Sequence, residues 1–178
     1  MRIISGKYKG KRLIAPKKLP VRPTTDFAKE GLFNILNNQF YFDELTVLDL
    51  FAGTGNISFE FASRGVPKIT SVDVHSGCVQ YINKIKSELE FPIQSIKSDV
   101  FTYLEKSIQK ADIIFADPPY DIPLTEFTKI PMLVKKNGLL EEDGILIIEH
   151  AKQTDLSEID GFTEKRKYGS SVFSFFEF

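Results

Sequence analysis

The sequence predicts an α/β protein built on one open, mostly parallel, seven-stranded sheet. Three observations carry that prediction. Between residues 46 and 150, short apolar runs of strand length alternate with amphipathic runs of helical period, the pattern of a parallel sheet covered on both faces. The last stretch, Phe162 to Tyr168, a Gly169-Ser170 turn and Ser171 to Phe178, reads as two strands joined by a hairpin, which adds an antiparallel edge. A chain of 178 residues with 42% hydrophobic content is long enough to bury a large core in one main domain and too short for two.

The chain opens with a basic arm, assigned to residues 1–24. Residues 1–22 hold eight Lys or Arg and no Asp or Glu, so with a formal net charge of −1 the remainder carries −9. Segregation of this kind suits a chain that meets a polyanion at one end. The basic positions alternate with Ile3, Ile4, Gly6, Tyr8, Gly10, Leu13 and Ile14, a pattern that predicts a short strand or hairpin presenting the cations rather than a solvated tail. Arg2, Lys7, Lys9, Lys11, Arg12 and Arg22 are the expected nucleic-acid contacts.

The main domain then runs over 25–178. Thr24-Thr25-Asp26 offers capping oxygens, and Phe27, Ala28, Gly31, Leu32, Ile35 and Leu36 fall at helical spacing, which predicts a helix over 25–38. Thr46 to Phe51 reads as a buried strand, and Ala52-Gly53-Thr54-Gly55-Asn56 as a glycine turn entering a helix that ends near Arg64-Gly65. The unit repeats as strand 69–74, helix 76–90, strand 93–98 and helix 101–108. Strands at 112–117 and 144–150, separated by a helix around 124–138, complete five parallel strands.

Ligands of an open α/β sheet bind beyond the carboxyl ends of its strands, and here those ends are acidic: Asp49, Asp73, Asp99 and Asp117. Neither a Walker pattern nor a full G-x-G-x-x-G is present, because Ser58 stands where the third glycine belongs, so a phosphate is the wrong ligand. A sulfonium cofactor with a free amine, a ribose diol and an adenine is a better match, since its donors suit carboxylates. On that reading Gly53 and Gly55 let the backbone approach the amino-acid part while Asp49 faces its ammonium. Asp73, 18 residues past Gly55, holds the diol. Asp99 accepts from the adenine amino group, the Val100 N–H meets a ring nitrogen and Val74 packs on the base. The simpler role for an Asp in the position of Asp99 is to cap the next helix.

Asp117-Pro118-Pro119-Tyr120 follows a buried strand directly. Each proline holds the residue before it extended, and neither has an N–H, so the turn is a stiff rim of acceptors. The Asp117 carboxylate and the Pro118 carbonyl can each accept one hydrogen of an exocyclic NH2, turning the nitrogen lone pair out of conjugation, while Tyr120 stacks on the ring that carries it. An aromatic amine needs that help because its lone pair is delocalised. With the glycine turn upstream, the pattern disfavours a plain strand-ending turn.

Leu48-Asp49-Leu50-Phe51-Ala52-Gly53-Thr54-Gly55 followed by Asp117-Pro118-Pro119-Tyr120 resembles the S-adenosylmethionine-dependent amino-group methyltransferases. Met1-Arg2-Ile3-Ile4-Ser5-Gly6, Arg22-Pro23-Thr24-Thr25-Asp26, Leu32-Phe33-Asn34-Ile35-Leu36, Ser63-Arg64-Gly65, Ile148-Glu149-His150 and Tyr168-Gly169 resemble, more narrowly, the RsmD family, across the whole chain. That resemblance implies a Rossmann-like class I methyltransferase fold, S-adenosylmethionine as cofactor with Phe51 and Thr54 added to its binding residues, and no metal. It further implies methyl transfer to N2 of a guanine in small-subunit ribosomal RNA, free or in a particle, by a monomer. The chain departs from the family at Phe27, where Arg is usual, and at Asp73, where Glu is common.

The alternatives are an adenine-N6 methyltransferase, which uses the same Asp-Pro-Pro-Tyr word, and a binding protein that keeps the fold without the chemistry. A nicotinamide-dependent dehydrogenase would need a hydride-transfer partner that nothing here resembles. No run approaches the roughly 20 apolar residues of a membrane span, and the N-terminus has no apolar signal segment, so a cytoplasmic protein is expected. The single Cys78 cannot form an internal disulfide, and with only His75 and His150 beside it a structural zinc site is excluded.

Overall fold

The computed structural model describes residues 1–16, 18–19 and 24–178. Its strands are β1 (Thr46–Leu50), β2 (Lys68–Asp73), β3 (Ile93–Lys97), β4 (Ala111–Ala116), β5 (Leu140–Ala151), β6 (Phe162–Tyr168) and β7 (Ser171–Phe176). The helices are α1 (Asp26–Asn37), α2 (Asn56–Ser63), α3 (Ser76–Leu89), α4 (Val100–Lys106) and α5 (Leu124–Lys136). One sheet of order β3-β2-β1-β4-β5-β7-β6 results. β1 to β5 are parallel, and β7 runs antiparallel to both β5 and β6. The seven-stranded, mostly parallel sheet with its C-terminal hairpin is the one the sequence predicts.

Strand side chains alternate between two cores, as the pleat requires. Val47, Ile69, Ile113 and Ile147 pack under α1, α2 and α3, whereas Leu48, Val72, Ile114 and Ile148 pack under α4 and α5. This is why the central strands read as unbroken apolar runs. The α1 helix is capped by the Thr25 hydroxyl, which accepts from the Ala28 N–H at 3.2 Å. It lays Ala28, Leu32, Phe33 and Leu36 into the first core.

Two features differ from the sequence reading. β5 begins four residues early, at Leu140, and its register against β4 shifts between Ala111 and Ile113. The shift is absorbed by Asp143, with φ of 60°, and by Gly144, where a Cβ would stand 3.0 Å from the Asp112 carbonyl oxygen. A 3-10 turn at Phe42–Glu44 also precedes β1; three residues leave no periodicity to read.

The basic arm is folded against the domain. Arg2 and Arg12 form an antiparallel bridge, and Ile3 and Leu13 are buried in the first core. Gly6, at φ of 79°, lies so close to the Ser63 carbonyl that a Cβ would overlap it. The fully buried Glu60 anchors the arm: it accepts from the backbone N–H groups of Ile4 and Ser5 at 2.8 and 3.0 Å, and from Arg64 at 2.9 Å. The Lys29 ammonium lies 3.3 Å from the same carboxylate and also donates to the Arg2 carbonyl. Burial draws the Lys29 pKa down, and Glu60 opposes that shift. Replacing Glu60 by Ala leaves the buried Lys29 charge without its counter-ion and two N–H groups without their acceptor, so Glu60→Ala is expected to cost about 3–5 kcal/mol in a urea denaturation series.

Candidate active site

At the carboxyl edge of the sheet, β1 lies between β2 and β4, with Leu50 register partner to both Val72 and Ala116. The segments leaving β1, β2, β3 and β4 therefore surround one crevice, a cavity of about 480 Å³, within the range of small-molecule sites.

One half of the lining comes from the turn after β1. Phe51 adopts φ of 57°, unusual for a side chain of that size, and Gly53 and Gly55 follow at 54° and 78°. Phe51, Ala52, Gly53 and Thr54 line the cavity. Gly55 does not: it caps α2, and a Cβ there would press on Ile82 and Phe59 at 3.0 Å. Its missing side chain thus lets α2 pack closely against α3. Asp49, 1% exposed, reaches the cavity from β1 and accepts from the Ser58 N–H and hydroxyl, and the hydroxyls of Ser58 and Ser71 lie 2.6 Å apart. Burial raises the Asp49 pKa to about 7 against the two hydrogen bonds from Ser58, and the charge on Asp73 adds to the rise.

Asp73, at the end of β2, accepts from the Gly53 N–H at 2.7 Å with one oxygen and from the His75 N–H at 2.8 Å with the other. It fixes the glycine turn and retains lone pairs toward the cavity. Beside it Val74 is 63% exposed, an apolar surface set at the cavity edge. Asp99 caps α4 by accepting from the Thr102 N–H at 2.9 Å and still lines the cavity together with Val100. Capping and cavity lining coexist there.

The other half is the Asp117-Pro118-Pro119-Tyr120 turn, all four residues lining the cavity. The Asp117 N–H donates to the Leu50 carbonyl at 3.3 Å, which ties the turn to β1. The Tyr120 hydroxyl donates to Glu149 at 3.1 Å and lies 3.4 Å from the Ser171 hydroxyl. Burial raises the Tyr120 pKa to about 12, helped by the charges of Glu149 and Asp117, so the phenol stays a donor at neutral pH.

Sequence reasoning missed Glu149, Thr24 and Asn56 as parts of this site. Glu149 is buried at the carboxyl end of β5 and accepts from the Thr24 hydroxyl at 2.6 Å as well as from Tyr120. Asn56 donates to the Thr24 carbonyl and accepts from Lys29, both at 2.9 Å. The signal available was a carboxylate closing an apolar strand, the same signal that marked Asp117. Of the arm cations, Arg2 pairs with Asp26 at 3.1 Å, Lys7 lies 5.3 Å from the centre of the Tyr8 ring, and Lys9, Lys11 and Arg12 are exposed. Arg22 lies outside the described residues.

An open parallel sheet with a glycine turn after its first strand, carboxylates at the next two strand ends and an acceptor-rich turn after the fourth defines a class I S-adenosylmethionine-dependent methyltransferase. The cavity suits that cofactor: Asp49 is a buried carboxylate that a cation relieves, Asp73 has acceptor capacity left for a diol, and Val74 offers a face for adenine. Solved structures agree on the fold. The Thermus thermophilus protein TTHA0928 superposes with a TM-score of 0.86 at 24% identity, over 100% of this chain and 99% of that one. The T. thermophilus 16S rRNA N2 guanine methyltransferase RsmC, solved with AdoMet and guanosine, does so with 0.69 at 21% identity, over 89% of this chain and 45% of that one.

The family model described as "Conserved hypothetical protein 95" matches residues 1–177. Bacillus subtilis YlbH is 34% identical over 95% of this chain and 94% of its own length. A Buchnera aphidicola ribosomal RNA small subunit methyltransferase D is 34% identical over 96% of this chain and 88% of its own. This chain belongs to that family, the RsmD family.

The Asp49 pKa gives a prediction with a definite sign. Because the folded value lies above the ordinary 3.8, the stability this carboxyl favours is full in acid and is lost as pH rises from about 4 to about 7. Pairing with an ammonium requires the ionised form. S-adenosylmethionine affinity, measured by titration calorimetry, should therefore rise about fivefold between one pH unit below that pKa and the pKa itself, and Asp49→Asn should flatten the rise.

Proposed function

We propose that this protein transfers a methyl group from S-adenosylmethionine to the exocyclic N2 of a guanine in small-subunit ribosomal RNA, acting in the cytoplasm as a monomer without a metal. The observation that carries the reading is the convergence of the acidic glycine-turn half and the Asp117-to-Tyr120 half in one cavity. Family membership supports it, since relatives in that family carry the name ribosomal RNA small subunit methyltransferase D.

When bound, S-adenosylmethionine supplies an electrophilic methyl on a sulfonium sulfur. The chain's own task is to make the amine reactive. Asp117 and the Pro118 carbonyl each accept one N2 hydrogen, which fixes the lone pair toward the electrophile, and Tyr120 supports the guanine ring. A C–N bond forms as the C–S bond breaks, and the proton released from the cationic nitrogen passes to Asp117 or to water. Positioning and exclusion of water account for most of the rate. The base must be unpaired or turned out of its stack to enter.

Replacing Asp117 by Ala should lower methyl incorporation into ribosomal RNA by about 10²–10³-fold while calorimetric binding of S-adenosylmethionine stays nearly intact. Retained turnover refutes the role given to Asp117. Mass mapping of ribosomal RNA from cells lacking the protein should show one methyl group missing from a guanine; a missing adenine methyl would point to the N6 reaction instead. Neutralising Lys9, Lys11 and Arg12 together should weaken RNA binding and reduce the slope of log affinity against log salt by about 2 to 3. An unchanged slope would leave the arm without a phosphate contact.

A further inference from the structure

The RNA-methylating reading leaves the exposed aromatic at Phe27 unused. Phe27, in the first turn of α1, is 65% exposed, although aromatic rings are normally the largest apolar contribution to a core. Its position is held firmly. The ring of Tyr168 meets it edge-on, 5.9 Å between centroids at 74°. Tyr168 is itself locked: it lies over Gly31, where a Cβ would fall 2.1 Å from the ring, and packs against Phe173 on its other flank. The pair with Tyr168 leaves most of the Phe27 surface exposed.

The neighbours of this ring say what covers it. Thr24, three residues earlier, lines the cavity and bonds Glu149, the residue that also holds Tyr120. Tyr168 pairs in register with Ser171, whose hydroxyl lies 3.4 Å from that of Tyr120. The shelf thus adjoins the rim that receives the target base. Its chain neighbour Asp26 holds Arg2 at 3.1 Å, and Met1, Arg2, Arg12 and Asp26 border one surface depression. An exposed aromatic ring whose immediate neighbours reach a base pocket through Thr24 and a group of cations through Asp26 matches a nucleotide: ring against ring, phosphate toward guanidinium. An apolar protein partner would leave the exposed Arg12 unanswered.

We infer that Phe27, braced by Tyr168, is a stacking shelf for an unpaired nucleobase next to the methylated guanine. This inference rests on the proposed reaction on RNA. Stacking and phosphate contact differ in their response to salt, which makes the shelf testable apart from the arm. The probe is a single-stranded RNA oligonucleotide in which 2-aminopurine flanks a guanine. On binding, the wild-type chain should quench the 2-aminopurine fluorescence. Phe27→Ala should lose that quenching and weaken binding about 5- to 150-fold with the salt slope unchanged, and Phe27→Trp should restore both. Wild-type affinity and quenching in Phe27→Ala overturn the shelf, as do a wild type that does not bind the probe, a loss accompanied by a shallower salt slope, or a change in oligomeric state as the main effect. Methyl incorporation into ribosomal RNA is scored separately. Incorporation without any Phe27 effect leaves the reaction standing and removes the shelf, whereas the stacking signature without incorporation does the reverse.

Discussion

Everything at the active edge depends on the parallel pairing of β1 with β4. The chain leaves β1 toward β2 and β3 on one side, then crosses back to lay β4 on the other, and a crevice must open where the order reverses. Leu50 and Ala116 are register partners, and the Asp117 N–H donates to Leu50 across the gap. The glycine turn and the Asp-Pro-Pro-Tyr turn, more than 60 residues apart in sequence, therefore enter the same space from adjacent strands. A slip of one residue would send Asp49 or Asp117 to the opposite face. The near-continuous apolar packing on both faces fixes the register against that. The local costs sit where this constraint puts them, in the left-handed Phe51 and in a buried Asp49 whose charge the free protein disfavours.

A second consequence concerns the basic arm. Glu60 holds the arm backbone and Lys29; Lys29 donates to Asn56; Asn56 donates to the Thr24 carbonyl; and the Thr24 hydroxyl and Tyr120 both donate to Glu149. An unbroken polar network thus runs from the arm to the acceptor turn. Its buried members are satisfied, and a satisfied buried network specifies one arrangement rather than several. The arm is thereby held at a fixed distance and orientation from the cavity, as selection of one base in a long polymer by the proposed arm contacts would require.

The fold was legible because its signals are local. Apolar runs of strand length, the Thr25 cap and the closing hairpin each depend on a few neighbouring residues, and the strand and helix boundaries match to within a residue or two except at β5. There the departure is a register shift at Ala111 and Ile113, a property of two strands together. The same distinction divides the site. Asp49, Gly53, Asp73 and the Asp117 turn announce themselves by position at strand ends. Glu149, Thr24 and Asn56 do not, because their roles arise from contacts spanning 29 to 125 residues. Gly55 shows a related gap: its lack of a side chain also lets α2 pack against α3, which no single-strand pattern reveals.

The charge distribution argues for a neutral base as the group that enters. Asp49, Asp73, Asp99 and Asp117 line one small cavity, and a phosphodiester drawn toward it meets carboxylates within less than a Debye length, where salt screens little. The compensating cations are on the arm, outside the cavity. A polyanion is therefore attracted to one surface and repelled from the next, and the part of it able to cross between them is an uncharged ring bearing hydrogen-bond donors. An exocyclic amine meets that condition, whereas a phosphate does not. The acidity of the cavity thus selects the edge of a nucleobase over the backbone that carries it.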